Sequence, residues 1–437
     1  MLMVKKITGN IESVQYGAFF GIAPYCYFIP NMTQSMFFKE ISEGAIFKYC
    51  VGESHLAEDK ECQDRCYAET NKNFSIAILS DGHGSDSHFR SARGADFAVE
   101  ITKACVAEFL KMIPRSIYSE KEMPTPFSNQ PFTAYYAKTA TDLQTHSNAH
   151  KAMMNLVSAI VGKWNLAVQE DALKNDLTDW EKTHVPQEEL DKFLKRREKE
   201  NASFAKAYGC TLMAYVQTKT YWFAFHIGDG KAVFLNHAEG ALVFEKSIPW
   251  DDECVLNVTT SLCDKNAVED FRYCYQGDGT FPVAVFMASD GMDDSYGENE
   301  LLYNFYAELY KNIIRYGKTE TEEQLETLLP QISKNHSRDD MSMALVYNSK
   351  QNSIYEQLYE FQKSIVYKYI AELQSEKEQV SAKIELLNSK ENKTQLDEIN
   401  ITFYSKKIET IQSDIQQEQE RINALDNDFY DFSNKEQ

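Results

Sequence analysis

Four aspartates of this 437-residue chain stand where short apolar runs begin or end. Residues 74–79 lead into Ser80-Asp81-Gly82-His83-Gly84, and residues 283–287 lead into Ala288-Ser289-Asp290-Gly291. Arg338-Asp339-Asp340 comes directly before the run that starts at Met341, and Gln63-Asp64 lies shortly before the first run. A strand ending in Asp-Gly delivers a carboxylate to a sheet edge, while the glycine lets the backbone turn and approach a ligand closely. Hard divalent cations take such donors: carboxylate oxygens, a backbone carbonyl and water. One Asp-Gly after a strand is most often only a turn. The order and spacing of all four motifs carry the reading.

Such carboxylates need a scaffold. Period-2 or short continuous apolar runs predict strands over 74–79, 211–216, 221–227, 233–235, 242–244, 283–287 and 341–347. The second and third of these make a hairpin around Thr218, Lys219 and Thr220. Apolar residues spaced by about 3.6 predict three helices, marked by Phe97, Ile101, Cys105 and Leu110, by Met153, Leu156, Val157, Ile160 and Trp164, and by Leu301, Phe305, Leu309 and Ile313. Strands, then helices, then strands again, without strict alternation, predict an α+β layered domain rather than a doubly wound parallel sheet. Pro114, Pro124, Pro126 and Pro131 fall among polar residues, so 114–146 reads as an irregular surface excursion.

From Gln351 onward the composition changes to Glu, Gln, Lys, Ser and Ile, with no proline or glycine. Ile354, Leu358, Phe361, Ile365, Leu373, Val380, Ile384 and Leu387 form one heptad seam, and Ile401, Tyr404, Ile408, Ile411, Ile415, Ile422 and Leu425 form another. The break over 388–393 makes either an antiparallel helical hairpin or a stutter in one long coiled-coil helix. A stripe of this kind is costly to leave in water. It must meet its own second helix, the rest of the chain, a second copy or another protein, so a homo-oligomer or a protein partner is expected through 351–437.

In order and spacing the acidic motifs resemble those of the PPM-type metal-dependent protein phosphatases, the protein phosphatase 2C family. That pattern is an acidic pair, Asp-Gly-His-Gly, a Gly-Asp hairpin, Ala-Ser-Asp-Gly, and Asp-Asn or Asp-Asp before a last core strand. Here it reads Gln63-Asp64, Asp81-Gly82-His83-Gly84, Gly228-Asp229, Ala288-Ser289-Asp290-Gly291 and Asp339-Asp340. Tyr208-Gly209-Cys210-Thr211 is similar to the family segment that opens a central strand, and Gly52, Ser54, His55, Cys62, Gln63 and Asp64 match a divergent bacterial branch. The resemblance implies a four-layer α-β-β-α sandwich of two antiparallel sheets flanked by helices. With the patterns above it divides the chain into an N-terminal extension over 1–45, a phosphatase domain over 46–350 with a helical or irregular insertion at about 114–200, and a coiled-coil appendage over 351–437.

Carried over residue by residue, the resemblance implies a protein-serine/threonine phosphatase using two Mg2+ or Mn2+ ions. Asp81, Asp290 and Asp339 would hold one ion; Asp81 and the Gly82 carbonyl would hold the second. Asp64 would act through water, Asp229 would serve a third ion, and His83 would protonate the leaving alkoxide of a phosphorylated protein substrate. Two departures stand out: Gln63 replaces a common Glu, and Asp59 occupies the place of a phosphate-clamping Arg. Lys60, Arg65, Arg90 and Arg93 are the candidates for that clamp. The departures also leave open a pseudophosphatase or scaffold that binds a partner through its coiled coil.

The bulk numbers narrow the alternatives. Forty-five Lys and Arg against 66 Asp and Glu give a net charge of -21. Such a field repels nucleic acid and argues against a two-metal nuclease. Nine cysteines without an export leader suit reduced thiols in a cytoplasm. Cys62 and Cys66 have no second pair at zinc spacing. The apolar run 17–30 is interrupted by Pro24 and too short to span a bilayer, so no membrane association is expected.

Overall fold

The computed structural model describes residues 44–113, 117, 148–200, 202–238, 240–246, 259–277, 279–348 and 352–435. The apolar run 17–30 and nearly all of the extension 1–45 and of the excursion 114–146 lie outside these residues. The strands are β1 (Gly44–Cys50), β2 (Arg65–Thr70), β3 (Ser75–Ser80), β4 (Leu212–Gln217), β5 (Trp222–Ile227), β6 (Lys231–Ala238), β7 (Ala241–Lys246), β8 (Arg272–Gln276), β9 (Ala284–Ala288) and β10 (Met341–Tyr347). The helices are α1 (Glu53–Ala57), α2 (Ser91–Met112), α3 (Asn148–Lys174), α4 (Asp179–His184), α5 (Gln187–Arg197), α6 (Ala267–Asp270), α7 (Asp290–Tyr296), α8 (Asn299–Tyr316), α9 (Lys318–Asn335), α10 (Asn352–Asn388) and α11 (Gln395–Lys435).

The strands form two five-stranded antiparallel sheets, ordered β1-β10-β9-β6-β7 and β2-β3-β4-β5-β8. Alternate residues of a central strand serve two different cores. In β3, Ile76 and Ile78 join α2 and α3 in the core outside the second sheet, whereas Ala77 and Leu79 meet Val285, Met287, Ala344 and Val346 of the first sheet. Because helices or the other sheet cover both faces, β3, β4 and β5 are buried along their whole length and read as unbroken apolar runs. Helix α9 packs on β1 across the outer face of the first sheet. The result is the four-layer α-β-β-α sandwich.

All seven predicted strands are present, with ends displaced by a few residues at most. Strands β1, β2 and β8 were not predicted, and their sequences explain it. Strand β2 buries only the small residues Cys66 and Ala68, Lys48 interrupts β1, and Arg272 and Gln276 bound β8 so that only three residues between them could form an apolar run. Among the described residues no helix is long and apolar enough to cross a membrane.

Residues 300–317 and 350–437 form a second compact unit. Within it α10 and α11 run antiparallel: Tyr355 stacks on Phe432, Val366 and Ile370 meet Ile422, and Leu373 and Val380 meet Ile411. A hairpin, not a stutter, therefore forms at the break. Its turn is fixed where the Asp397 carboxylate accepts from the Thr394 N–H at 2.8 Å and pairs with Lys390 at 2.6 Å. Helix α8 completes the unit. Its Lys311, 1% exposed, lies 2.9 Å from Asp428 and 3.0 Å from Gln362 Oε1, while Tyr355 donates to Asp428 at 2.7 Å.

Candidate metal centre

Neighbouring strands bring the acidic motifs to one end of the sandwich. Asp81 follows β3, which pairs with β4; there the Asp81 N–H donates to Thr211 Oγ1 at 2.9 Å and the Thr211 N–H returns a bond to the Asp81 carbonyl at 2.8 Å. Asp64 precedes β2 on the other side of β3. Asp290 follows β9 and opens α7, and Asp339 precedes β10, the strand paired with β9. The Gly228-Asp229 turn sits over Thr211, with Gly228 at φ 118°. A Cβ at Gly228 would stand 2.5 Å from the Thr211 side chain, so both the backbone sign and the space call for glycine.

Two further glycines permit the close approach of these segments. A Cβ on Gly82 would lie 2.6 Å from the Gln63 carbonyl, and one on Gly291 would lie 2.1 Å from the Asp340 carbonyl. Gly82 also forms an antiparallel bridge with Cys210, whose two hydrogen bonds are made by the flanking residues. The Gly82 carbonyl is therefore not used in that bridge.

The carboxylates fall into two electrostatic kinds. Burial raises the Asp64 pKa well above the usual range, Asp340 and Asp290 add to the rise, and the Ser289 and Ser342 hydroxyls oppose it. Asp81 is raised by burial first, then by the charges of Asp290 and Asp64. Asp290 is raised by burial to about 7; its contact with Asp81 opposes this, and Asp229, Asp339 and Asp294 add to it. Burial would raise Asp340 as well, but His55 and the Gln63 and Gly52 N–H groups outweigh it and hold Asp340 below the ordinary value. Those two N–H groups donate to Asp340 at 2.5 and 2.7 Å, and the His55 ring lies 2.9 Å away. Ser54 closes the same corner by donating to the Arg338 carbonyl at 2.6 Å.

Asp340 is thus an anchor satisfied by protein, and it ties Gly52, His55 and Gln63 to the start of β10. Its role was not anticipated, although Ser54-His55 and the second Asp of Asp339-Asp340 were its signal. The site aspartates instead are pushed toward their protonated forms by burial and by one another, a cost that a bound cation would relieve. Asp64 is 1% exposed, and its Oδ2 has no hydrogen-bond partner among the described residues. Among those residues no group of three or more His, Cys, Asp or Glu side chains is placed to hold a metal ion as the side chains stand. By donor type, the carboxylate oxygens of Asp64, Asp81 and Asp290 are those that a hard divalent cation takes.

His83 stands apart from this charge. Ser261 Oγ donates to the Cys210 carbonyl at 3.1 Å, so the 2.7 Å contact to His83 Nε2 has the imidazole N–H as donor. Burial pushes the His83 pKa down to about 4, which keeps the ring neutral at pH 7. The clamp candidates also separate. Arg90, 4% exposed, pairs with Glu181 at 2.6 Å and bonds Tyr208 at 2.9 Å; Arg93 pairs with Asp171. Arg65 binds Asp96 and the Cys62 carbonyl, each at 2.5 Å. Lys60 donates to the Gly84 carbonyl at 2.9 Å and lies within the fields of Asp339 and Asp340.

No curated protein matches the chain. Among solved structures, a bacterial serine phosphatase is 14% identical, covering 71% of this chain and 99% of that one with a TM-score of 0.40. The serine/threonine phosphatase Stp1 from Staphylococcus aureus is also 14% identical, covering 73% and 100% with a TM-score of 0.40. The catalytic domain of the serine/threonine protein phosphatase PstP, in complex with two manganese ions, is 13% identical over 70% and 97%, with a TM-score of 0.37. A family model described as Protein phosphatase 2C matches residues 51–330, more than half of the sequence. The chain belongs to the protein phosphatase 2C family.

Proposed function

We propose that this protein phosphatase hydrolyses phosphoserine and phosphothreonine in proteins at the Asp64, Asp81 and Asp290 centre, with Mg2+ or Mn2+ bound there. The burial and mutual electrostatic strain of these three carboxyl groups at converging strand ends is the observation that carries the reading. Divalent cations at such oxygens supply a nucleophilic hydroxide near neutral pH and stabilise the attacking and leaving oxygens. Asp81, Asp290 and Asp339 would hold one ion, and Asp81 with the Gly82 carbonyl the other. Asp64 would orient water, and Asp229 would serve a third ion.

The protein's own groups do the rest. Arg65, Arg90 and Arg93 are each engaged by protein partners, so the phosphate-orienting cation we assign is Lys60. Its ammonium donates to the Gly84 carbonyl and lies in the fields of Glu58, Asp340 and Asp339. His83 is neutral when substrate is absent, and a phosphate dianion beside it would raise its pKa toward the range where it delivers a proton to the leaving oxygen. Residues 46–350 form the catalytic portion in this reading. Residues 351–437 form an appendage for a second copy or a protein partner, and the compartment is the cytoplasm. The test is hydrolysis of 4-nitrophenyl phosphate and of a phosphothreonine peptide with Mn2+ by wild type and Asp81→Asn. Activity in the wild type that vanishes in the variant supports the reading. An inactive wild type that still folds and binds partners would make the chain a pseudophosphatase.

A further inference from the structure

One cavity lined in part by the loop that follows Asp81 has no part in the chemistry above. It has a volume of about 270 Å3 and lies between the turn Asp86–His88, helix α5 and the turn Ala205–Tyr208. Its base is aromatic, with Phe89 and Phe193 meeting edge to face at 5.3 Å. Ser87, Lys192, Arg196 and Lys206 line it together with one carboxylate, Glu189. In a chain of net charge -21, three cations against the one lining carboxylate reverse the local sign. Lys192 is neutralised by Glu188 and Glu189, each at 2.8 Å. Arg196 and Lys206 make no ion pair with a carboxylate among the described residues. Basic residues in the last turn of α5 suit the helix dipole, which accounts for Arg196. It does not account for Lys206, which reaches the same cavity from a separate turn.

We propose that this cavity is a subsite for a second anionic side chain of the phosphoprotein substrate, a phosphate or a carboxylate near the scissile phosphoester. The inference rests on the phosphatase reading. Proximity supports it: the wall residue Ser87 adjoins His88, whose ring meets the His83 ring edge-on at 4.9 Å, and His83 follows Asp81 by two positions. A single loop therefore runs from the carboxylates to the cavity. Size supports it too, because a space just below the usual small-ligand range of about 300–1,000 Å3 admits one side chain rather than a cofactor. Guanidinium, ammonium and hydroxyl donors over an aromatic base suit an anion joined to a hydrocarbon stem.

The experiment compares three phosphothreonine peptides, with neutral, glutamate or phosphoserine flanks, in wild type and an Arg196→Ala/Lys206→Ala double variant. 4-Nitrophenyl phosphate, too small to reach the cavity, reports the carboxylate centre separately. The wild type is expected to favour an anionic flank about 10-fold in kcat/KM, mostly through KM, as one or two charge-assisted bonds allow. The double variant is expected to lose that preference. A preference for phosphoserine over glutamate identifies phosphate as the natural anion, and equal preference identifies charge alone. Equal kcat/KM for all three peptides in the wild type, or a preference that survives in the variant, overturns the subsite. If the wild type lacks aryl phosphatase activity, the phosphatase reading fails and binding decides the subsite. Fluorescence anisotropy of a labelled glutamate-flanked peptide would then weaken about 10-fold in the double variant, and unchanged binding would overturn it.

Discussion

Asp290 and Asp340 show how one side-chain type is given two tasks by its surroundings. Asp340 is held ionised by N–H donors and His55, and it fixes backbone. Asp290 is buried beside Asp81 and other acids and makes no ion pair among the described residues. Asp290→Asn is therefore expected to lower phosphatase activity by more than about 100-fold, beyond the loss typical of groups that merely orient a ligand. Without metal it should melt no lower than wild type, because it relieves like-charge repulsion. Differential scanning fluorimetry with and without Mn2+, beside an aryl phosphate assay, checks both halves; near-wild-type activity would show the centre to be misplaced. His83→Ala should reduce hydrolysis of phosphothreonine peptides far more than that of aryl phosphates, whose leaving oxygen scarcely needs a proton. Equal losses on both would restrict His83 to packing against Ser261.

At the scale of elements, the site depends on segments that touch through glycine. Helix α7 begins against β10 because Gly291 leaves room for the Asp340 carbonyl, a backbone atom that cannot swing aside. Gly291→Ala is expected to cost about 1–3 kcal/mol of stability and to lower activity by displacing Asp290 from Asp81. Urea unfolding beside the aryl phosphate assay reads both, and an unaffected variant would show that this approach is slack. Buried strands were legible because both of their faces are covered, which leaves continuous apolar runs such as Ser75–Ser80. Strand β2 was not legible, since Arg65 and Glu69 interrupt it and its buried residues are small. The aspartates at strand ends were visible in the sequence, and the structure collects Asp64, Asp81 and Asp290. The choice among Lys60, Arg65, Arg90 and Arg93 was not visible, because it depends on partners as distant in sequence as Asp171 and Glu181.

For the whole molecule, the second unit draws a helix from inside the sequence, α8, against the terminal pair α10 and α11. Lys311 and Arg315 of α8 both pair with Asp428 of α11. Burial tends to raise the Asp428 pKa, but Lys311, Tyr355 and Arg315 outweigh it, so the value falls below the ordinary range. A depressed carboxylate contributes stability that is present above its unfolded pKa, near about 4, and is lost as the pH falls through its folded value. Asp428→Asn is expected to destabilise this unit at pH 7 by on the order of 2–3 kcal/mol, somewhat less than a fully buried pair because Asp428 is partly exposed. The deficit should shrink in denaturant titrations as the pH drops below about 4, and a deficit independent of pH would mean that charge is not what joins these helices. The central claim concerns the metal, and it is tested most directly by the initial rate of 4-nitrophenyl phosphate hydrolysis during a Mn2+ titration, followed by excess chelator. A rate that rises from baseline with Mn2+, saturates and returns to baseline with chelator is the predicted result; full activity in excess chelator would contradict it.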